Sequence, residues 1–241
     1  MIRLLHILAF VTPFLLSAQV TALKCGRLID GRSDTPVLNA VVLIQGKRVL
    51  DVGSNLTIPP DAIVIDLSAA TVLPGLIDCH THVLLQGDIT AEDYAEQILK
   101  EHGVFWCPTI HVNMWVAEGR AAEGNVVFLS LKERLPITFA KALKAGVKIA
   151  FGTDAGGFAW TENQAREFSY MVRWGMTPMQ AIKSATTVAA ELLEMSGSIG
   201  EIRPGAWADI VATKDDPLKD ITALERIGFV MKEGTIHKRE L

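Results

Sequence analysis

The sequence predicts an α/β fold, an α/β barrel or part of one, inserted into a small β module. Short apolar and β-branched runs separated by glycine-containing turns occupy both ends of the chain. Between them, helix-start signals alternate with short continuous apolar runs, which are typical of parallel strands covered on both faces. We therefore expect a split β-sandwich-like module at residues 19–72 and 198–241 and a partial α/β barrel at residues 73–197.

The predicted β module contains two hairpins. Gly46 separates the apolar runs 41–44 and 48–52, and Gly234 separates a similar pair of runs near the end of the chain. Two short apolar runs joined by a tight turn that contains glycine are typical of antiparallel hairpins.

Helices in the central region are predicted from capping boxes, in which Ser or Thr is followed three positions later by an acidic residue or Gln. These pairs are Thr90 with Asp93, Ser130 with Glu133, Thr161 with Gln164, and Thr177 with Gln180. In the last pair, Thr177 is followed by Pro178 at the first helical position. The apolar runs 104–107 and 147–151 are the predicted strands between them.

The N-terminus resembles a signal peptide at residues 1–18. Arg3 precedes an uncharged run at 4–16, and Ser17 and Ala18 follow as small residues at the exit. Cleavage after Ala18 is expected, and cleavage after Ala22 or an uncleaved anchor are the alternatives. The run is short for a transmembrane helix. We therefore expect an exported protein, periplasmic or secreted, with no stable membrane anchor after cleavage.

Composition excludes several classes of function. The formal net charge of -4 over 241 residues gives no basis for a nucleic-acid partner. The three cysteines, Cys25, Cys79 and Cys107, are widely spaced and include no CxxC pair. They therefore indicate small buried apolar side chains and neither a disulfide framework nor a structural zinc site.

Two histidines and one aspartate follow predicted strands. His80 and His82 come directly after an apolar run, and residues two apart in an extended chain point the same way. Asp154 follows the predicted strand 147–151 and lies among glycines. Imidazole nitrogen and carboxylate oxygen are zinc ligands, and zinc lowers the pKa of a bound water to about 7. The three residues therefore indicate a metal site at strand ends, where barrel active sites lie.

Two segments resemble motifs of the metal-dependent amidohydrolases. Residues 73–82 read LPGLIDCHTH and are similar to the first-strand motif of that family. Residues 151–156 read FGTDAG and are similar to its eighth-strand motif, and residues 199–211 resemble the return into its split β module. Within the family, the resemblance is to the imidazolonepropionase-like group, which includes secreted Xaa-Pro dipeptidases.

The resemblance implies a (β/α)₈ TIM-like barrel with a two-metal site that activates water to attack an amide or cyclic amide. It assigns His80, His82 and Asp154 as metal ligands, and Asp154 as the catalytic proton carrier. The family also uses a bridging carboxylated lysine or a glutamate, and two histidines from middle strands. The short segment between His82 and Thr90 does not contain them. We therefore expect an incomplete barrel that lacks most of its second to sixth βα units, with fewer than two metal ions, Zn²⁺ or another divalent transition metal.

Two further histidines lie near the ends of predicted elements. His111 follows Thr109 and Ile110 at a predicted strand end, which makes it a candidate for a recruited ligand. His102 precedes Gly103 near a predicted helix end, where a solvated or capping role is expected instead.

Three functions remain open from the sequence. The first is a hydrolase that cleaves a C–N bond of a small-molecule substrate, an Xaa-Pro-like dipeptide or a cyclic amide. The second is a non-catalytic, internally deleted remnant whose open sheet edges need another chain, including a second copy of this one, to complete the fold. The third is a binding module that keeps the family scaffold for ligand capture.

Overall fold

The computed structural model describes residues 18–80, 105–122, 124, 126–156, 158 and 160–241. The predicted signal peptide before Ala18, the proposed ligand His82, the capping box at Thr90 and His102 all lie outside these residues. No helix in the described ranges is both long enough and apolar enough to cross a bilayer.

The described ranges contain nine strands and five α-helices. The strands are β1 (Val20–Leu28), β2 (Val37–Gln45), β3 (Arg48–Gly53), β4 (Ile63–Pro74), β5 (Phe105–Trp106), β6 (Lys148–Ile149), β7 (Ile210–Thr213), β8 (Ile227–Lys232) and β9 (Thr235–Arg239). The helices are α1 (Ile110–Ala122), α2 (Val126–Ala145), α3 (Arg166–Arg173), α4 (Pro178–Ser184) and α5 (Thr187–Leu192), and a 3₁₀-helix spans Ile221–Arg226.

One seven-stranded sheet collects strands from both ends of the chain, in the order β3-β2-β1-β4-β7-β8-β9. Strands β1 and β4 are parallel, and β4 pairs antiparallel with β7, with Leu73 opposite Val211. The two predicted hairpins are confirmed, since β2 pairs with β3 and β8 pairs with β9 in antiparallel registers. Their turns contain Gly46 and Gly234 in the left-handed conformation that glycine adopts without steric cost.

The core of this sheet is built from alternating inward residues of both ends. Leu23 and Ile65 from the N-terminal strands pack with Ile210 and Phe229 from the C-terminal strands, and all four are almost completely buried. Burial of apolar surface contributes about 25 cal/mol per Å² to the free energy of folding, so this shared core stabilises the packing of the two ends of the chain against each other.

A second, two-stranded sheet lies in the central part of the chain. Strands β5 and β6 are parallel, with Trp106 opposite Ile149. Helices pack on it through a separate core that includes Phe139 of α2 and Phe168 of α3. The α/β class predicted from the sequence is therefore confirmed. Within the described residues neither sheet closes into a barrel.

One of three testable helix starts is as predicted. Thr177 caps α4 with a complete capping box, in which its side chain accepts a hydrogen bond from the Gln180 amide. Ser130 lies inside α2, because the helix begins four residues earlier at Val126. Thr161 does not start a helix either, because α3 begins at Arg166, and Asn163 accepts from the Ala165 amide in the turn before it.

Candidate metal site

Two chain segments meet where β4 and β6 end. The amide of Cys79 donates to the carbonyl of Phe151 at 3.0 Å, which places the continuation of β4 beside the continuation of β6. Further along, the carbonyl of His80 accepts from the amides of Thr153 and Asp154 at 3.1 and 2.6 Å. Residues that are distant in sequence thus lie side by side at the ends of two strands.

His80 and Asp154 face each other across this junction. The Nε2 atom of His80 lies 3.7 Å from Oδ1 of Asp154, and both side chains are about a quarter exposed, at 24% and 26%. Ligands about 2.1 Å from a tetrahedral zinc ion are separated by roughly 3.4 Å. The spacing and the nitrogen and oxygen donors therefore fit two corners of a zinc site that solvent and small molecules can reach.

Asp154 adopts an unusual backbone conformation. Its φ angle is 54°, in the left-handed region that aspartate tolerates better than most residues. Such conformations persist where surrounding contacts fix them, and they are frequent at functional sites. Here the amide of Asp154 donates to the carbonyl of His80, so the turn is fixed by the proposed partner ligand itself.

Asp78 links the two segments through its carboxylate. Oδ1 accepts from the amides of His80 and Thr153, both at 3.1 Å, and Oδ2 accepts from the hydroxyl of Thr153 at 2.5 Å. The Thr153 side chain is fully buried. Sequence reasoning assigned no role to either residue, although Asp78 lies within the motif at 73–82 and Thr153 within the motif at 151–156.

Gly152 leaves space for the side chains around it. A Cβ atom at this position would lie 2.2 Å from Sγ of Cys107 and 2.8 Å from Cβ of His80. Burial raises the pKa of the Cys107 thiol, and raises that of Cys79 to about 11 with a smaller contribution from Asp78. Of the three cysteines expected to be buried, Cys25 is buried, whereas Cys79 and Cys107 are partly exposed.

His111 lies in the first turn of α1 and not at a strand end as the sequence suggested. Its ring is 3% exposed and packs edge-on against Phe158 and parallel to Tyr170. Neither ring nitrogen has a hydrogen-bond partner among the described residues, and burial lowers the pKa of the ring. His111 does not join His80 and Asp154, since no three metal-ligating side chains cluster within the described ranges.

Glu167 was also missed by sequence reasoning. This fully buried carboxylate accepts from the amides of Ile110 and His111 at 2.8 and 2.6 Å, so it caps α1 from the neighbouring α3. Burial raises its pKa to about 8, while the two amide donors act in the opposite direction. The first turn of α1 is thus capped by a residue more than fifty positions away.

Sequence comparison decides the family. The model of the amidohydrolase family matches residues 97–237, which is more than half of the chain. The chain belongs to the amidohydrolase family. Members of this family generally use divalent metals, and the family predicted from the two motifs is confirmed.

Individual relatives agree with this assignment. The chain is 32% identical to an ochratoxinase from Aspergillus niger over 157 residues, which cover 61% of this chain and 32% of the relative. It is 29% identical to an imidazolonepropionase from Streptomyces coelicolor over 175 residues, which cover 73% of this chain and 40% of the relative. The chain thus spans about a third of the length of the ochratoxinase and less than half of the imidazolonepropionase.

A solved structure supports the fold. A Xaa-Pro dipeptidase with bound methionine in its active site matches with a TM-score of 0.80 at 20% identity, covering 91% of this chain and 100% of that one. At this identity the likeness establishes a shared fold, and that fold is mixed α/β.

Proposed function

We propose that this protein is a metal-dependent amidohydrolase that cleaves a C–N bond of an Xaa-Pro-like dipeptide or a cyclic amide. The observation that carries the proposal is the approach of His80 Nε2 and Asp154 Oδ1 to 3.7 Å at two adjoining strand ends. Relatives named imidazolonepropionase and Xaa-Pro dipeptidase support these two substrate classes. The substrate is a small molecule or a dipeptide.

His80, His82 and Asp154 are the proposed ligands of one Zn²⁺ or another divalent transition metal. Three protein ligands are the usual number at a catalytic zinc. A bound zinc ion would lower the pKa of the water molecule that it coordinates to about 7. His80 supplies an imidazole nitrogen and Asp154 a carboxylate oxygen from the described residues. His82 lies two positions after His80, where an extended chain directs both rings to one side.

Asp154 is also the proposed catalytic proton carrier. One of its carboxylate oxygens faces His80, and the other is proposed to accept a proton from the attacking water. The same oxygen returns the proton to the departing amine, which otherwise leaves as an unstable anion. Partial exposure of this side chain allows it to contact a substrate that enters from solvent.

The experiment is a metal count combined with hydrolysis. We expect about one zinc ion per purified chain, release of free amino acid from the dipeptide Met-Pro, and loss of both in Asp154→Ala. His237→Ala is the matched control, because His237 is an exposed histidine of β9 outside the site. Absence of bound metal from the wild-type protein would overturn the proposal, as would equal hydrolysis by the wild type and Asp154→Ala.

A second function is supported by the length of the chain. The protein spans 32% of one curated relative and 40% of another, and the described strands do not close into a barrel. The alternative proposal is a non-catalytic, internally deleted remnant that pairs its open sheet edges with another chain. Light scattering on the purified protein tests this, because a stable monomer that turns over substrate would exclude it.

Export remains a proposal based on the first eighteen residues. Arg3 and the uncharged run at 4–16 support a cleaved signal peptide. N-terminal sequencing of the protein from the periplasm or the medium tests it, with residue 19 or residue 23 expected as the first residue of the mature chain. A mature chain that begins at Met1 would overturn the proposal.

A further inference from the structure

The carboxylate of Asp78 makes contact with both ligand-bearing segments at once. One oxygen accepts from the amide of His80 on the first segment and from the amide of Thr153 on the second. The other oxygen accepts from the Thr153 hydroxyl at 2.5 Å. We propose that Asp78 is a positioning residue that holds His80 and Asp154 at the spacing the metal requires. The expected change in zinc affinity rests on the proposed function. The restraint on His80 and Asp154 rests only on the hydrogen bonds described above.

Thr153 transmits this restraint to Asp154. Its hydroxyl donates to Asp78 and accepts from the amide of Ala155 at 3.2 Å, so it is bound on both sides of the turn. Asp154 lies between these two anchored residues and holds a φ of 54°, which isolated chains seldom adopt. The hydrogen bonds of Thr153 therefore maintain the strained turn that directs the Asp154 side chain towards His80.

The strength of the link follows from its chemistry. A carboxylate that accepts from a hydroxyl or an amide forms a charge-assisted hydrogen bond, which is shorter and stronger than a neutral one. Thr153 is fully buried, whereas Asp78 is exposed, so after removal of Asp78 its hydroxyl and amide could bond only to water that enters from the surface. Such water is not fixed to the His80 segment, so the turn that carries Asp154 would relax.

The restraint is confined to a few residues at the ends of two strands. The hydrogen bonds of Asp78 and Thr153 join residues 78–80 to residues 153–155, and the Thr153 and Asp154 amides also donate to the His80 carbonyl. These hydrogen bonds restrain the two ligands locally, at the ends of two strands. A chain that spans only part of the length of its relatives can therefore retain a preorganised half of a metal site.

The test compares Asp78→Ala and Asp78→Asn with the wild type. In metal-free protein, we expect the amides of Thr153 and Asp154 to exchange hydrogen at least 10-fold faster in Asp78→Ala, because their restraint is gone. Zinc affinity, measured by competition with a chelating dye, is expected to fall about 10- to 100-fold. Asp78→Asn should retain most of both properties, because its amide oxygen still accepts from two amides and its nitrogen donates to Thr153.

Asp220→Ala is the matched control. Asp220 also accepts from an amide and a hydroxyl of one threonine, Thr222, but it caps the distant 3₁₀-helix. This variant is expected to keep the wild-type exchange at Thr153 and Asp154 and the wild-type zinc affinity. A general loss of stability would affect it in the same way as Asp78→Ala.

The outcomes separate the two proposals. Unchanged exchange in Asp78→Ala and in Asp78→Asn overturns the positioning role, whatever metal the protein binds. Faster exchange in Asp78→Ala together with no zinc binding by the wild type supports the positioning role and overturns the proposed function. If Asp78→Ala does not fold, the double variant Asp78→Asn, Thr153→Val takes its place in the comparison with the wild type. If this double variant has the wild-type hydrogen exchange and the wild-type zinc affinity, the positioning role is overturned.

Discussion

Replacing Glu167 by glutamine is expected to change how the stability of the protein depends on pH. The Glu167 side chain is fully buried, and its two oxygens accept hydrogen bonds from the amides of Ile110 and His111. Burial raises the pKa of its carboxyl from 4.5 to about 8, with the two amide donors opposing. Glutamine has nearly the same shape and does not ionise, so the substitution removes this titration with little change in packing.

The magnitude follows from the linkage between proton binding and folding. Since one pKa unit corresponds to about 1.4 kcal/mol, a rise from 4.5 to about 8 makes ionisation cost on the order of 5 kcal/mol more in the folded protein than in the unfolded chain. The folded pKa is raised, so this stability is fully present below pH 4.5 and is lost as the pH rises through 8. Such a loss is comparable to the total stability of a typical domain.

Glutamine adds a cost that is independent of pH. Its oxygen accepts from one backbone amide, but its NH₂ group then faces the other amide, and one buried donor is left without an acceptor. That loss is worth about 1–3 kcal/mol. The curves of unfolding free energy against pH should therefore cross for the two proteins. The wild type is expected to be more stable at about pH 5, and Glu167→Gln more stable at about pH 9.

The assay is urea unfolding followed by circular dichroism, repeated from about pH 5 to about pH 9. Glu133→Gln is the control, because Glu133 is exposed on α2 and its substitution should leave the wild-type curve unchanged. Parallel curves for the wild type and Glu167→Gln would refute the reasoning. A wild-type stability that increases with pH while that of Glu167→Gln does not would refute it as well.

Three further predictions concern the same part of the molecule. Gly152→Ala should lower the stability of the protein by about 1–3 kcal/mol and weaken zinc binding, because its Cβ would meet Cys107 and His80. Gly119 lies in open space on α1, so Gly119→Ala should raise the stability by about 1 kcal/mol in the same urea titration. His111→Leu should abolish the part of the stability that the wild type loses as the pH falls below 6.5, because burial lowers the pKa of this ring, and an unchanged acid limb would contradict this. Thr177→Ala should cost about 1 kcal/mol of unfolding free energy through loss of the α4 cap, and a cost near zero would show that the cap is dispensable.

Much of the fold was predictable because its signals are local. Gly46 and Gly234 mark hairpin turns that the structure contains, and Thr177 with Gln180 marks a real helix start. The same type of signal failed at Ser130, where a helix that begins upstream runs through the residue. A capping pattern shows that a residue is able to begin a helix, whereas its neighbours determine whether a helix begins there.

The sequence by itself determined the family. It also identified the two site residues that face each other, His80 and Asp154, because each lies in a short contiguous motif. Only the tertiary structure decided what holds them. Asp78 reaches Thr153 across two strand ends, and Glu167 caps a helix that begins at Ile110. These contacts join residues more than fifty positions apart, and no local pattern encodes them. The physical reason is that the buried carboxylate of Glu167 must be paired with donors, and the fold alone determines which donors lie within reach of it or of the exposed Asp78.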